Sequence, residues 1–340
     1  MTHPVLFSSR SNLARHEALR TFQEASGWGG AESIYLAGDA SFRTYYRLCR
    51  KTGETCVLMD APPPDEDVSS FTAVARYLLG LGLSAPAILA EDAKQGFLLL
   101  RDFGDDLYSR ILASGGDEFS LYTLAVDVQL VLHQAPIPQF LPEYDEAFLL
   151  REVSYLPDWF CFYCASPLSK DARAEYMEVW SALLPTARSV PHVVVLRDYH
   201  AENLMHLHGE VGLNACGLLD FQGAVRGPMT YDLMSLMEDA RHDIRVELRD
   251  AIRNYYIQKV PGLDRDAFMR SWSVMAAQRH AKVIGLFVRL WKRDKKSMYL
   301  VHLPRVWGLL ERACEDPVLQ PLRRWLDYHI PDDIRRRVPV

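Results

Sequence analysis

The order of apolar and polar positions divides the chain into a strand-rich beginning and a helix-rich remainder. Two runs within residues 33–60, SIYLAGDASFRTYYRLCR and TCVLMDAPP, are rich in aromatic and apolar residues and are broken by glycines, which predicts strands. Residues 96–100 (GFLLL) predict one more short, buried strand. Apolar residues recur at helical spacing in 11–26 and 68–81, so a helix is predicted on either side of the first strands.

From Leu107 onward the pattern is mainly helical. Helices are predicted at 119–134, 144–154, 171–188, 229–239, 243–257, 265–292 and 304–313. Two strand-like runs, 193–196 and 217–219, interrupt them. A strand-rich part of about 100 residues followed by a larger helical part predicts an α+β fold with two lobes.

The composition is that of an ordinary globular protein and excludes several classes. The chain is 49% hydrophobic and 24% charged, and its net charge of −6 argues against a nucleic-acid binder. No apolar run approaches the ~18 residues of a membrane span, and the first residues lack a signal-peptide pattern. The six cysteines are sparse for this length, and Cys161 and Cys164 are expected to be buried thiols rather than metal ligands. We therefore expect a cytoplasmic protein with no membrane and no obligate protein partner.

The stretch 193–239 carries the chemistry. Its first apolar run leads into Asp198, Asn203 follows five residues later, and the second apolar run ends at Asp220. If the second run pairs beside the first, the three side chains converge. One carboxylate, Asp198, then orients a hydroxyl nucleophile, while Asn203 and Asp220 hold Mg²⁺. A lone aspartate would be a turn cap, but the combined pattern predicts an ATP-dependent small-molecule kinase.

Two loops are candidates for binding the nucleotide. The first, between the first two strands, is made of small residues: Gly38, Asp39, Ala40 and Ser41. Backbone N–H groups in such a turn can approach phosphates, although a plain hairpin turn has the same composition. The second is the exit of the strand at 96–100: Arg101, Asp102 and Phe103. It is predicted to be an inter-lobe hinge that pairs with adenine, and an ordinary strand end is the alternative.

The motifs LRDYHAENLM and LLDFQGAVRGPMTYDL resemble the signature of the aminoglycoside phosphotransferase superfamily. Further motifs between about Gly38 and Trp307, such as GDASFRTYYRL, LLLRDFGD and YDLMSLMEDAR, resemble its bacterial anomeric sugar kinases. These phosphorylate N-acetylmuramic acid and N-acetylglucosamine at the anomeric hydroxyl during cell-wall recycling. The resemblance implies a protein-kinase-like fold with an N-lobe at 1–103 and a C-lobe at 104–340. It also implies ATP and Mg²⁺ as cofactors, Asp198 as catalytic base, and Asn203 and Asp220 as metal ligands.

The chain departs from the superfamily pattern in the N-lobe. The strand after the glycine turn should carry a lysine paired to a helix glutamate, but Met59 is near that position and Glu66 precedes the helix. Arg43 or Arg47, on the preceding strand, is the expected substitute. The departure keeps open a second hypothesis, a nucleotide-binding pseudokinase that acts as a scaffold.

The basic residues of one predicted helix indicate the charge of the acceptor. Arg279 and Lys282 begin a series of basic residues on the helix 265–292, and such a series suits a lactyl carboxylate better than a polycationic aminoglycoside. A solvated basic face is the alternative. Trp159 is a candidate for stacking on a sugar ring, or else a core residue. Kinases of other small compounds, such as aminoglycosides, choline or fructosamines, therefore remain alternatives to an amino-sugar kinase.

Overall fold

The computed structural model describes residues 9–38 and 42–339, and the N-lobe is built on one antiparallel sheet. The strands lie in the order β1-β2-β3-β5-β4. The elements of this lobe are α1 Ser9–Ala25, β1 Glu32–Gly38, β2 Thr44–Cys49, β3 Thr55–Asp60, α2 Ser69–Gly80, β4 Ile88–Asp92 and β5 Phe97–Arg101. The sequence did not predict β4, an edge strand without buried side chains and so without a strong apolar pattern.

β5 explains why this sheet needs a helix on each face. Successive side chains of a strand point to opposite faces of the sheet. Phe97 and Leu99 pack in a cluster with residues of α1, whereas Leu98 and Leu100 belong to the larger core that includes α2. A strand that is buried on both faces has an unbroken apolar run, which is the pattern that predicted it.

The C-lobe is mainly helical. Its helices are α3 Tyr108–Ala113, α4 Glu118–Gln134, α5 Glu146–Val153, a π-helix Leu156–Cys161, α6 Phe162–Cys164, α7 Lys170–Ala187, α8 Tyr231–Met237, α9 Val246–Lys259, α10 Arg265–Asp294, α11 Leu303–Ala313, α12 Gln320–His329 and α13 Asp332–Arg335. All seven helices predicted here are present, with ends that differ by at most three residues. Within 9–38 and 42–339, no helix is both long enough and apolar enough to cross a bilayer.

The long helix α10 is the axis of the C-lobe, because α5, α7, α8, α11 and the π-helix all pack against it. Asp264 caps its beginning by accepting a hydrogen bond from the backbone N–H of Ala267 (3.0 Å). The helix ends at Lys295, which is left-handed with a φ of 60°. At Gly285 the π-helix crosses so closely that an added Cβ would lie 2.1 Å from the backbone of Tyr155.

The two strand-like runs of the C-lobe do not pair with each other, which corrects the pairing assumed from the sequence. β6 (His192–Val195) pairs with β9 (Val225–Pro228). β8 (Cys216–Leu218) pairs with β7 (Leu204–His206). The chain thus forms two separate antiparallel pairs, because the short strands β7 and β9, which the sequence did not reveal, supply nearer partners. Asp198, Asn203 and Asp220 are still brought to one place, where loops connect the two pairs.

Candidate active site

Asp198 lies in the loop 196–203 between β6 and β7, which we call the catalytic loop. A buried carboxylate holds this loop: Asp232, in α8, accepts hydrogen bonds from the backbone N–H groups of Leu196 (2.6 Å) and Arg197 (2.9 Å). Burial raises the pKa of Asp232 to about 7, while the two hydrogen bonds lower it. Asp232 therefore braces the backbone on which Asp198 is carried.

Arg197 has a φ of 70°, a region that non-glycine residues seldom occupy. Its guanidinium binds the carboxylate of Glu152 on α5 and donates to the carbonyl oxygen of Gly223 (3.3 Å). Glu152 also binds the ammonium of Lys282 (2.8 Å). Burial would raise the pKa of Glu152, but the charges of Lys282 and Arg197 lower it to about 2. We call Glu152, Arg197 and Lys282 the Glu152 cluster; it locks the strained residue that precedes Asp198.

Asn203 and Asp220 lie next to each other beside the catalytic loop. The amide nitrogen of Asn203 donates to the backbone carbonyl oxygen of Asp198 (2.9 Å) and lies 3.4 Å from a carboxylate oxygen of Asp220. The backbone N–H of Leu219 donates to the carbonyl oxygen of Asn203 (2.9 Å), which ties the two loops together. Asp220, like Arg197, is left-handed, with a φ of 53°. Backbone conformations that are rare for non-glycine residues thus occur on both sides of this site.

The donor atoms of Asn203 and Asp220 fit Mg²⁺. This ion prefers oxygen ligands and usually takes one or two from the protein, the rest coming from phosphates and water. Because the amide nitrogen of Asn203 faces the backbone, its amide oxygen is the atom left for a cation. No group of three or more His, Cys, Asp or Glu side chains within the described ranges is suited to a metal. The site therefore fits an ion that arrives with nucleotide phosphates rather than one caged by protein.

Phe221 joins the segment that carries Asp220 to the N-lobe. Its ring is fully buried and stacks on Phe71 of α2, with ring centroids 4.9 Å apart. Nearby, the backbone N–H of Leu218 donates to the carbonyl oxygen of Ser84, on the loop after α2 (2.8 Å). These contacts fix Asp220 relative to the lobe that is predicted to hold the nucleotide.

The predicted phosphate turn begins at Gly38, the last residue of β1, but Asp39, Ala40 and Ser41 lie outside the described residues. Just after the turn, Arg43 forms a salt bridge to Glu66 (2.9 Å), and both side chains are about nine-tenths buried. Met59, near the position expected for lysine, is fully buried. This lobe therefore contains a buried arginine–glutamate pair, and the residue near the position expected for lysine is apolar.

The three hinge residues use their side chains within the protein. Arg101 pairs with Glu210 (2.8 Å), and the Phe103 ring packs so closely on Gly217 that an added Cβ would lie 2.9 Å from it. The Asp102 carboxylate binds Arg47 (2.6 Å). The backbone N–H of Arg101 donates to the carbonyl oxygen of Ala87 (2.8 Å). The remaining backbone groups of this segment are left to pair with adenine. Nucleotide binding by these residues stays a prediction, and Arg47 is engaged in holding the hinge.

The residues predicted to contact the acceptor are not equivalent. Arg279 and Lys282 are only 5% and 9% exposed, so the alternative of a solvated basic face does not hold for them. Lys282 is neutralised by Glu152, whereas the side chain of Arg279 makes no hydrogen bond or ion pair with any residue that the structure describes. Trp159, on the π-helix, stacks on Tyr163 at a centroid distance of 5.8 Å. Its contact with a sugar stays a prediction that this packing does not support.

Two buried acids near the catalytic loop were missed in the sequence. Glu152 sits in a helix of ordinary composition, so nothing in the sequence marks it. Asp239, just beyond α8, is 1% exposed, and its Oδ2 atom has no hydrogen-bond partner within the described ranges. Its one sequence signal is its place at the end of the mostly apolar run LMSLMED.

Comparisons with known proteins identify the family and the fold. A model described as "Phosphotransferase enzyme family" matches residues 34–269. A Caulobacter vibrioides protein named N-acetylmuramate/N-acetylglucosamine kinase is 34% identical, over 95% of this chain and 98% of its own length. A Pseudomonas aeruginosa protein of the same name is 39% identical, over 85% and 86%. A solved choline/ethanolamine kinase family protein from Mesorhizobium loti shares the fold, with a TM-score of 0.63 and 15% identity over 96% of this chain and 99% of that one. The predicted two-lobed kinase-like fold is confirmed, and the chain belongs to the phosphotransferase enzyme family.

Proposed function

We propose that this protein is an ATP-dependent kinase that phosphorylates the anomeric hydroxyl of N-acetylmuramic acid and N-acetylglucosamine, and that it serves cell-wall recycling in the cytoplasm. The observation that carries the proposal is the convergence of Asp198, Asn203 and Asp220 on one braced loop system. The names of the two bacterial relatives support the choice of acceptor.

Asp198 is the proposed catalytic base. Its carboxylate accepts a hydrogen bond from the sugar hydroxyl, orients the oxygen toward the γ-phosphate and receives the proton as the phosphoryl group is transferred. Phosphoryl transfer depends mainly on alignment of the sugar hydroxyl with the γ-phosphate, so the loop that carries Asp198 needs a rigid support. Asp232 and Glu152 provide it by fixing the two residues that precede Asp198.

The nucleotide is proposed to lie between the lobes. The turn of Gly38, Asp39, Ala40 and Ser41, with Arg43, takes the phosphates, and the backbone of Arg101, Asp102 and Phe103 takes the adenine. Asn203 and Asp220 are the proposed Mg²⁺ ligands; when bound, the ion neutralises charge on the phosphates. The acceptor lies on the C-lobe side, where the sequence assigns Trp159, Arg279 and Lys282. Of these, Arg279 is the proposed contact, because Lys282 is held by Glu152 and Trp159 packs on Tyr163.

A transfer assay tests the function directly. The protein is incubated with ATP and a panel of acceptors (N-acetylmuramic acid, N-acetylglucosamine, an aminoglycoside, choline and a fructosamine), and NMR locates the phosphate. We expect transfer to the anomeric oxygen of the two amino sugars. Transfer to another compound alone, or to none of them, contradicts the proposal, and ATP binding without transfer favours the pseudokinase alternative.

A single substitution tests the catalytic base. Asp198→Asn keeps the size of the side chain but removes the base, so we expect turnover to fall at least ~10²-fold with an unchanged melting temperature. Asp171→Asn removes an acid from the exposed surface of α7 and is the matched control. Near-normal turnover of the Asp198 variant contradicts the assignment.

A further inference from the structure

Beside the catalytic loop, three buried polar atoms have no hydrogen-bond partner in the part of the chain that the structure describes. They are Nδ1 of His200, Oδ2 of Asp239 and Nη1 of Arg279. The side chains come from the catalytic loop, the end of α8 and α10, and they are close enough to act on one another electrostatically. Folded proteins rarely leave buried polar atoms unsatisfied. Three of them in one place next to Asp198 indicate a site that a polar ligand completes.

Arg279 differs from the other basic residues of α10. Lys282 is bound by Glu152, Arg289 donates to the hydroxyl of Tyr155 (2.8 Å), and Arg293 pairs with Asp294 (2.7 Å). Arg279 is as deeply buried as Lys282, yet no carboxylate of the described residues pairs with it directly. Two buried carboxylates, Asp232 and Asp239, act on Arg279 electrostatically but form no direct ion pair with it. A buried guanidinium nitrogen without a hydrogen-bond acceptor is unfavourable, and the oxygen of a ligand carboxylate removes that cost.

The cluster has a partly exposed side at Arg241. Arg241 is 23% exposed at its side chain and pairs with Glu202 (3.0 Å). Its guanidinium lies over the rings of Tyr299 (5.6 Å) and Phe287 (6.0 Å). Its backbone N–H donates to Asp239 (2.8 Å), which joins this aromatic rim to the buried atoms. Aromatic rings beside buried hydrogen-bonding groups suit a sugar, and the Arg279 guanidinium suits an acid that the sugar carries.

We propose that Arg279, Asp239 and His200 form the acceptor subsite, in which Arg279 binds the carboxylate of an acidic amino sugar and the other two bind its uncharged polar groups. This inference rests on the proposed function, since it places an amino sugar against Asp198. N-acetylmuramic acid differs from N-acetylglucosamine by a lactyl ether that ends in a carboxylate. An unpaired guanidinium therefore distinguishes the two sugars, and Arg279 determines specificity rather than turnover.

The test uses three acceptors of graded charge: N-acetylmuramic acid, its methyl ester and N-acetylglucosamine. Steady-state constants are measured for the wild type and for Arg279→Gln, which removes the charge but keeps amide donors. We expect KM for the acid to rise at least ~30-fold, and KM for the ester and the neutral sugar to change less than about threefold. Arg279→Lys keeps the positive charge but lacks the planar guanidinium that binds a carboxylate through two N–H groups. Its KM for the acid should therefore lie between those of the wild type and Arg279→Gln.

Arg270→Gln is the matched control, because it removes the same charge from an exposed position on the same helix. It should leave all three acceptors unchanged. An equal rise of KM for all acceptors in the Arg279 variant overturns the inference and assigns Arg279 a structural role. A rise of KM for ATP alone also overturns the inference, because it shows that Arg279 binds the phosphates of the nucleotide instead of the acceptor. If Arg279→Gln does not fold, Arg279→Lys tests the same point: a rise of KM for the acid alone supports the inference, and an equal change of KM for all three acceptors, or none, overturns it.

Asp239→Asn tests the uncharged half of the subsite. It should raise KM for all three acceptors by about tenfold and keep the preference for the acid over its ester. An unchanged KM for every acceptor removes Asp239 from the subsite. A wild-type protein that phosphorylates none of the three acceptors refutes the proposed function. A wild type that phosphorylates them without discriminating the acid from its ester refutes only this inference.

Discussion

At the scale of single residues, Arg43 is the proposed substitute for the missing N-lobe lysine. It follows the phosphate turn, and Glu66 holds its guanidinium at 2.9 Å. A fixed positive charge at this position would stabilise the negative charge of the nucleotide phosphates. We expect Arg43→Gln to lower kcat/KM for ATP about 10²-fold, with KM for the sugar little changed. The measurement is steady-state kinetics with ATP as the varied substrate.

Arg47 is the other arginine that the sequence offers in place of the lysine, but its side chain is engaged in contacts within the protein. Its guanidinium binds Asp102 (2.6 Å) and Asp105 (2.9 Å) and donates to the carbonyl oxygen of Gly104 (2.9 Å). Arg47→Gln should therefore lower the melting temperature more than it lowers kcat/KM for ATP. If the two variants have the same kinetics, Arg43 has no special role with the phosphates.

At the scale of elements, the crossing of α10 and the π-helix depends on one glycine. A Cβ at Gly285 would lie 2.1 Å from the backbone of Tyr155, and backbone cannot move aside as a side chain can. We expect Gly285→Ala to lower the free energy of unfolding by about 1–3 kcal/mol through overpacking. Gly308, in α11, has no atom within 4 Å of an added Cβ. Gly308→Ala should instead raise the free energy of unfolding by about 0.5–1 kcal/mol through helix propensity. Urea unfolding of both variants checks the prediction, and equal effects contradict it.

How far the sequence predicts these elements depends on how regular their periods are. The long helix α10 and the buried strand β5 have clear periods and were predicted closely. The six-residue α3 and the four-residue α13 are too short to show a period, and a π-helix does not follow the spacing of 3.6 residues. The ten-residue α12 has an apolar face that was overlooked.

The candidate site was predicted to the extent that its residues are close in sequence. Asp198, Asn203 and Asp220 lie within one stretch whose spacing predicts the proposed chemistry. Glu152 and Asp239 act through contacts between distant segments, and such contacts leave no spacing to detect. The same limit explains the wrong pairing of the two C-lobe strands.

At the scale of the whole molecule, the Glu152 cluster links catalysis to stability. It joins α5, the catalytic loop and α10 through charges that are almost completely buried. The folded-state pKa of Glu152, about 2, lies below the ordinary value of 4.5, because the charges of Lys282 and Arg197 outweigh the effect of burial. A carboxylate with a lowered pKa contributes stability that is complete above its unfolded-state pKa and is lost as the pH falls toward the folded one.

Glu152→Gln tests this link by leaving Arg197 and Lys282 without their counter-ion. We expect the free energy of unfolding at pH 7 to fall by about 3–5 kcal/mol, the usual cost of breaking a buried pair. At pH 3.5 the difference from wild type should be smaller by about 1 kcal/mol, because the unfolded wild type then binds a proton that the folded protein does not. Glu146→Gln, on the exposed side of the same helix, should change stability at neither pH. The folded fraction of Glu152→Gln should also lose turnover with both sugars equally, since Arg197 positions Asp198 and does not touch the acceptor. A variant as stable as wild type at pH 7, or one with a selective loss for the acidic sugar, contradicts the role of the cluster as the support of the catalytic loop.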